Sequence, residues 1–106
     1  MKLLIDECVD ERLRNSFSAH ECQTARYAQL AGLKNGELLS AAEAAGFAVL
    51  ITVDQSIPDQ QNLADRRIAV VIISAATNRL RDLLPLVPTV LTVLGSIQPG
   101  EVRRVS

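Results

Sequence analysis

Aromatic side chains are scarce in this 106-residue chain, which has no Trp and only Phe17, Tyr27 and Phe47. RNA-recognition motifs and most single-strand-binding domains stack bases on several aromatic rings. The chain also has 11 basic and 12 acidic side chains, for a net charge of -1. These counts exclude an aromatic stacking platform and a nucleic-acid binder that relies on bulk positive charge.

Cysteine and histidine are equally rare, with only Cys8, Cys22 and His20 present. Their number and spacing exclude a disulfide scaffold and an ordinary zinc site. The GxGxxG, GxxxxGK[ST] and GxSxG motifs are also missing, which argues against dinucleotide, P-loop and serine-hydrolase sites. No signal-peptide pattern follows Met1, and the apolar runs are far shorter than the roughly 20 residues of a membrane span. The sequence therefore predicts a reduced, cytoplasmic protein with no membrane partner.

The hydrophobic content of 48% is enough for the core of a single domain over residues 1–106. Apolar runs predict strands at residues 3–5, 48–53 and 68–73, and weaker strands at 20–25 and 101–105. Helical spacing of apolar residues predicts helices at 9–17, 35–45, 59–65 and 80–94, the last interrupted by Pro85 and Pro88. Because strands alternate with helices and three of the strand runs are continuously apolar, we predict an α/β sandwich with a mainly parallel sheet.

Three residues are predicted to mark helix ends. Asn35 and Asn78 are suitable N-caps, because their side chains can accept hydrogen bonds from the first turn. Gly46 suits the left-handed position that ends a helix.

Acidic residues follow two of the predicted buried strands. Asp6 and Glu7 follow the first strand, Asp54 follows the run at 48–53, and Glu37 opens the helix that precedes that run. Parallel sheets bind ligands at the carboxyl ends of their strands, so these acids are expected at one edge. Carboxylates without His or Cys suit Mg²⁺ or Mn²⁺, which acidify water and neutralise phosphoryl charge. The set therefore favours phosphodiester hydrolysis.

Each acid also has a structural explanation. Asp6 could cap the following helix, Glu7 could be a solvated residue of its first turn, Glu37 could complement a helix dipole, and Asp54 could form an Asx-turn.

A phosphorelay receiver domain is a further alternative. It has an acidic pair after its first strand and an Asp after its third. It also needs a Lys after its last strand, whereas the only lysines here are Lys2 and Lys34.

Three segments together resemble the small PIN-like domains, compact relatives of the toxin nucleases of bacterial toxin–antitoxin pairs. They are Leu3-Leu4-Ile5-Asp6-Glu7, Gly32-Leu33-Lys34-Asn35-Gly36-Glu37-Leu38-Leu39 and Leu50-Ile51-Thr52-Val53-Asp54. In this chain, as in that family, an Asp closes the first strand, an acid opens a mid-chain helix and Thr-x-Asp ends the next strand.

The resemblance implies a Mg²⁺- or Mn²⁺-dependent ribonuclease with a three-layer α/β/α sandwich and a mainly parallel sheet. By position, Asp6, Glu37 and Asp54 match the catalytic acids and metal ligands of the family, with Glu7 as an accessory acid. Larger members carry a fourth acid, for which only Asp59 is a loose match.

Arginine supplies nine of the eleven basic residues, and Arg binds phosphate bidentately. Most arginines also suit a solvated surface. Asn78 and Arg79 follow the strongest predicted strand and are the predicted substrate contacts. The expected partners are an RNA substrate, the cognate antitoxin of a toxin, and a second copy packed on the apolar segment 80–94. The alternative function is a PIN-like binding module without catalysis.

Overall fold

The sheet contains five strands, all parallel, in a computed structural model that describes residues 1–57 and 63–106, with only the backbone of Asn35. Neighbouring strands in the order β2-β1-β3-β4-β5 are paired in parallel. The strands are β1 (Lys2–Ile5), β2 (Glu21–Thr24), β3 (Val49–Thr52), β4 (Ala69–Ile73) and β5 (Val102–Val105). This sheet confirms the predicted parallel α/β architecture.

Helical segments cover both faces of the sheet. They are a 3-10 helix (Glu11–Phe17), α1 (Asn35–Ala44), α2 (Leu80–Leu83), a 3-10 turn (Leu84–Leu86) and α3 (Val87–Leu94). Leu3 and Val71 belong to the apolar cluster that contains the 3-10 helix, α2 and α3. Leu4 and Val70 belong to the opposite cluster, which contains α1. Successive strand residues point to opposite faces, so continuous apolar runs fill both clusters.

The C-terminal helical segment is divided as its prolines predict, because Pro85 and Pro88 lie at the starts of successive helical turns. On α3, Val90 is fully buried and Leu91 is 38% exposed, and Leu84 of the preceding 3-10 turn is 43% exposed. Among residues 1–57 and 63–106, no helix has the length and apolar character needed to cross a bilayer.

One predicted helix is of the wrong type, and another falls largely outside the described residues. The segment after β1 is a 3-10 helix, although Val9, Leu13 and Phe17 are buried as expected. It is only seven residues long, and its Asn15 and Ser16 are poor α-helix formers. Residues 58–62, which include Asp59, lie outside the described part, and residues 63–65 are not helical.

The predicted N-caps are also wrong. Helix α1 already includes Asn35, and the cap position belongs to Lys34, which makes no side-chain cap bond. Arg79 occupies the cap position of α2, because the side chain of Asn78 is used elsewhere. Gly46 has the predicted left-handed backbone, with φ of +86°.

The strand order places the amino-terminal strand beside β3. From β1 the chain runs outward to β2, then returns across β1 through α1 to β3. The carboxyl ends of β1 and β3 therefore meet where the direction of winding reverses. Open parallel sheets bind ligands in the crevice at such a point.

Candidate functional site

A pocket of about 280 Å³ opens at the carboxyl ends of β1 and β3. Asp6 and Asp54, one from each strand end, both line it. The other lining residues are Glu7, Cys8, Leu33, Lys34, Leu38, Val53 and Ile57. The fold therefore brings two of the predicted acids into one crevice, with Lys34 as the cation among the lining residues.

The hydroxyl of Thr52 links these two aspartates. Thr52 is fully buried at the end of β3. Its Oγ1 donates to Asp6 Oδ2 at 2.7 Å and accepts the backbone N–H of Asp54 at 3.1 Å. Thr52 and Asp54 are two residues apart. The Thr-x-Asp sequence therefore orients the Asp6 carboxylate on the adjacent strand and also fixes the start of the loop that follows β3.

The thiol of Cys8 completes the environment of this hydroxyl. Its Sγ lies 3.5 Å from Thr52 Oγ1. Burial raises the pKa of Cys8, and the negative charge of Asp6 contributes to the same direction. Since the thiol stays protonated and the proton of Thr52 is directed to Asp6, Cys8 is the donor in this contact. The rotamer of Thr52 is thus held by three polar neighbours.

Each aspartate has further hydrogen bonds. Asp6 Oδ1 accepts the backbone N–H of Glu7 at 2.8 Å. Asp54 Oδ1 accepts the backbone N–H of Ser56 at 2.9 Å and its hydroxyl at 2.6 Å, which is the Asx-turn considered from sequence. Asp54 Oδ2 accepts no hydrogen bond from residues 1–57 or 63–106. Asp6 does not cap the following helix, a role that Asp10 takes.

The other two predicted acids are placed differently. Glu7 lines the pocket and its Oε1 accepts the backbone N–H of Gly32 at 3.1 Å. Glu37 is exposed in the first turn of α1, between the lining residues Lys34 and Leu38, and does not itself line the pocket. Within the described ranges, no three Asp, Glu, His or Cys side chains form a group that could hold a metal ion.

The predicted substrate contacts line two other pockets. Asn78 Nδ2 donates to the carbonyl of Cys8 at 3.1 Å. Asn78 also lines a pocket of about 530 Å³, which shares Val53 with the acidic pocket and continues to Gln55 and Ser74. Arg79 lines a separate pocket of about 370 Å³.

The oxygen donors of Asp6 and Asp54 fit a divalent cation. Mg²⁺ keeps most of its waters and needs only one or two carboxylates directly. A carboxylate offers about four lone-pair sites. Asp6 has two hydrogen bonds and Asp54 Oδ1 has two, so both residues retain acceptor capacity toward the pocket. Hard oxygen donors in an open crevice therefore fit a hydrated Mg²⁺ or Mn²⁺.

Sequence reasoning missed the positioning roles of Thr52, Cys8 and Ser56. The signal for Ser56 was available, since a Ser two residues after an Asp is typical of an Asx-turn. The signal for Thr52 is the Thr-x-Asp motif itself, which enters the sequence prediction only as part of the family resemblance. Nothing in the sequence indicates that Cys8 contacts a hydroxyl 44 positions away.

Comparisons with protein-family models, with curated proteins and with solved structures each gave no significant match. The fold and the geometry of the site are therefore the basis of the functional argument.

Proposed function

We propose that this protein is a divalent-cation-dependent ribonuclease of PIN-like type that hydrolyses RNA phosphodiesters. One observation carries the proposal: Asp6 and Asp54 line one crevice at the switch point of the sheet, and the buried hydroxyl of Thr52 bonds to the carboxylate of Asp6 and to the backbone N–H of Asp54. The Asx-turn explains the Asp54 carboxylate alone, and the hydrogen bonds from Thr52 and Glu7 orient that of Asp6. Neither explains their convergence on an open pocket.

Asp6 and Asp54 would hold Mg²⁺ or Mn²⁺, and Glu37 and Glu7 are the remaining acids of the predicted set. When bound, the ion would supply positive charge to the phosphodiester and lower the pKa of a coordinated water. Thr52 keeps the Asp6 carboxylate in one orientation, which reduces the conformational entropy lost on binding. Lys34 lines the same pocket and can bind a phosphate oxygen.

The proposal is tested with a single-stranded RNA labelled at one end and incubated with protein and MnCl₂ or MgCl₂. We expect cleavage that EDTA stops and that Asp6→Asn and Asp54→Asn each reduce at least about 100-fold, as loss of charge at a metal ligand does. Asp65→Asn is the matched control, because Asp65 is exposed and lies outside the pocket. Equal cleavage by wild type and Asp54→Asn, with both folded, would refute the assignment.

Glu37 provides a graded version of this test. Because Glu37 does not line the pocket, Glu37→Gln should reduce cleavage less than Asp54→Asn does. Calorimetric titration with MnCl₂ then separates metal binding from catalysis. A loss of Mn²⁺ affinity as large as that of Asp54→Asn would show that Glu37 is a direct ligand.

A PIN-like binding module without catalysis is the second candidate. It is favoured by the lack, within the described residues, of a third acid grouped with Asp6 and Asp54. This candidate predicts RNA binding without cleavage under any divalent cation. A cognate antitoxin, a toxin role, a second copy at the exposed Leu84 and Leu91, and a cytoplasmic location stay predictions on either reading.

A further inference from the structure

Positive charge is concentrated around the 3-10 helix that follows β1. A pocket of about 310 Å³ on one side of this helix is lined by Glu11, Arg14, Thr24, Arg26 and Tyr27. The pocket of about 370 Å³ on the other side is lined by Asp10, Arg12, Arg79, Leu80, Arg81 and Leu84. We call the five arginines and Tyr27 of these two pockets the arginine surface.

The charge of the arginine surface differs from that of the whole chain. Five arginines and two acids line the two pockets, a local excess of three positive charges. The complete chain has a net charge of -1. Five of the eleven basic side chains thus line these two pockets, and such a patch attracts a polyanion.

The acids of this surface are already paired. Asp10 binds Arg12 at 2.8 Å, and Glu11 lies 3.6 Å from Arg26. The guanidinium of Arg12 lowers the pKa of Asp10 to about 2. Three arginines remain without an ion pair to any residue of 1–57 or 63–106. They are Arg14, Arg79 and Arg81. These three can bind phosphate groups without breaking an internal ion pair.

Tyr27 is the most exposed large apolar side chain described, at 72%. Its backbone is fixed, because its N–H donates to the buried Thr24 Oγ1 at 3.1 Å. The ring shares a pocket with Arg14 and Arg26. An open ring on a fixed backbone beside two guanidinium groups can stack one nucleobase while the neighbouring cations bind phosphate.

Both sides of the arginine surface connect to the acidic pocket. The loop that carries Tyr27 returns to the pocket through the hydrogen bond from Gly32 N to Glu7. The loop that carries Arg79 is attached through the hydrogen bond from Asn78 to the Cys8 carbonyl. These hydrogen bonds attach both loops of the arginine surface to Glu7 and Cys8, which line the acidic pocket.

We infer that the arginine surface binds single-stranded RNA, with its phosphates on Arg14, Arg79 and Arg81 and one base stacked on Tyr27. This inference names a binding surface for the substrate of the proposed function and rests on that function for the choice of RNA. One ring does not form the stacking platform that the composition excludes. It supplies a single contact, and charge supplies the rest of the affinity.

The chain offers a specific optical probe. Tyr27 is the only Tyr and there is no Trp, so the intrinsic emission comes from this residue. The experiment titrates wild-type protein with a uridine dodecamer in EDTA at 50 mM NaCl, and follows tyrosine emission and the anisotropy of an end-labelled copy. We expect saturable quenching with the same Kd as the anisotropy change. Three phosphate contacts predict a slope of log K against log salt of about -2.

Variants identify the surface. Tyr27→Ala and the double variant Arg79→Ala/Arg81→Ala should each weaken binding about tenfold, whereas Tyr27→Phe should stay within about twofold. Arg67→Ala is the control, since Arg67 is equally exposed but lies at the amino ends of the strands, in the pocket with Met1 and Ala69. A loss of affinity in Arg67→Ala as large as in the double variant would overturn the inference.

Three other results would also overturn it. They are no binding of the dodecamer at 50 mM NaCl, equal affinity for poly-glutamate of the same length, and tighter binding of an RNA duplex without quenching. Because EDTA prevents metal-dependent cleavage, binding is measured independently of the proposed activity. If Asp54→Asn and wild type bind RNA equally and neither cleaves it, only the proposed function fails.

Discussion

The hydroxyl of Thr52 donates to the carboxylate of Asp6 across two adjacent strands, between residues 46 positions apart. The register of β1 and β3 makes this contact possible. Ile5 pairs with Ile51, so Asp6, which follows Ile5, lies beside Thr52, which follows Ile51. A short polar residue is therefore required at position 52, although the site is fully buried.

Replacement of this residue tests its role. Thr52→Val keeps the shape of the side chain and leaves the Asp54 N–H and Asp6 Oδ2 without their shared partner. We expect the free energy of unfolding to fall by about 1–3 kcal/mol. Urea denaturation measures this loss, and Thr52→Ser, which keeps the hydroxyl, should retain the hydrogen bonds. Equal stability of Thr52→Val and wild type would show that water replaces the hydroxyl.

Glu43 gives a prediction for acid pH. Burial opposes its ionisation, but the N–H of Arg67 at 2.8 Å and the guanidinium of Arg66 at 2.6 Å lower its pKa below the ordinary 4.5. A carboxyl group with a lowered pKa stabilises the fold above its unfolded pKa and loses this effect as pH falls through the folded value.

The measurement compares wild type with Glu43→Gln by urea denaturation between pH 7 and pH 3. Wild type should be more stable by about 1 kcal/mol at pH 7, and the difference should shrink below pH 4.5. Glu21→Gln is the control, because Glu21 is exposed on β2 and should show no such trend. A difference in the free energy of unfolding that increases toward pH 3 would contradict the assigned ion pair.

Two glycines with similar backbones form a matched pair. Gly32 and Gly100 have φ of +88° and +80°, so Ala is strained at both positions. A Cβ at Gly32 meets nothing within 4 Å, whereas one at Gly100 would lie 2.8 Å from the carbonyl oxygen of Leu63. Gly32→Ala should cost about 1 kcal/mol of stability, and Gly100→Ala should cost clearly more. Thermal unfolding of both variants provides the comparison, and equal losses would mean that the loop at Leu63 moves away.

The sequence predicts the sheet well because the apolar run that marks each buried strand is a local pattern. The continuous apolar run at 68–73 indicates a strand that is buried on both faces, as β4 is. The 3-10 helix was not predicted, because buried residues four positions apart, such as Leu13 and Phe17, have the spacing of an α-helix rather than of a 3-10 helix. The caps failed for a different reason: Asn78 bonds to Cys8, a tertiary contact that no local pattern contains.

The candidate site was predictable only in part. Asp6 and Asp54 follow strands that pair with one another, so their proximity follows from the parallel order. The outward position of Glu37 depends on how α1 is rotated about its axis, and Ala42 and Leu39 on the buried side fix that rotation. The pattern of apolar residues gave the buried side of the helix, but not the distance of its first turn from the pocket.

The outer strands of the sheet have a consequence for solution behaviour. Both β2 and β5 are only four residues long, and they carry charged side chains, Glu21 on one and Arg103 and Arg104 on the other. Short, charged borders are poor templates for the addition of a foreign strand. The apolar strands β3 and β4 therefore lie inside the sheet, between edge strands that carry charges. This arrangement protects a core rich in valine and isoleucine from fibril-like association.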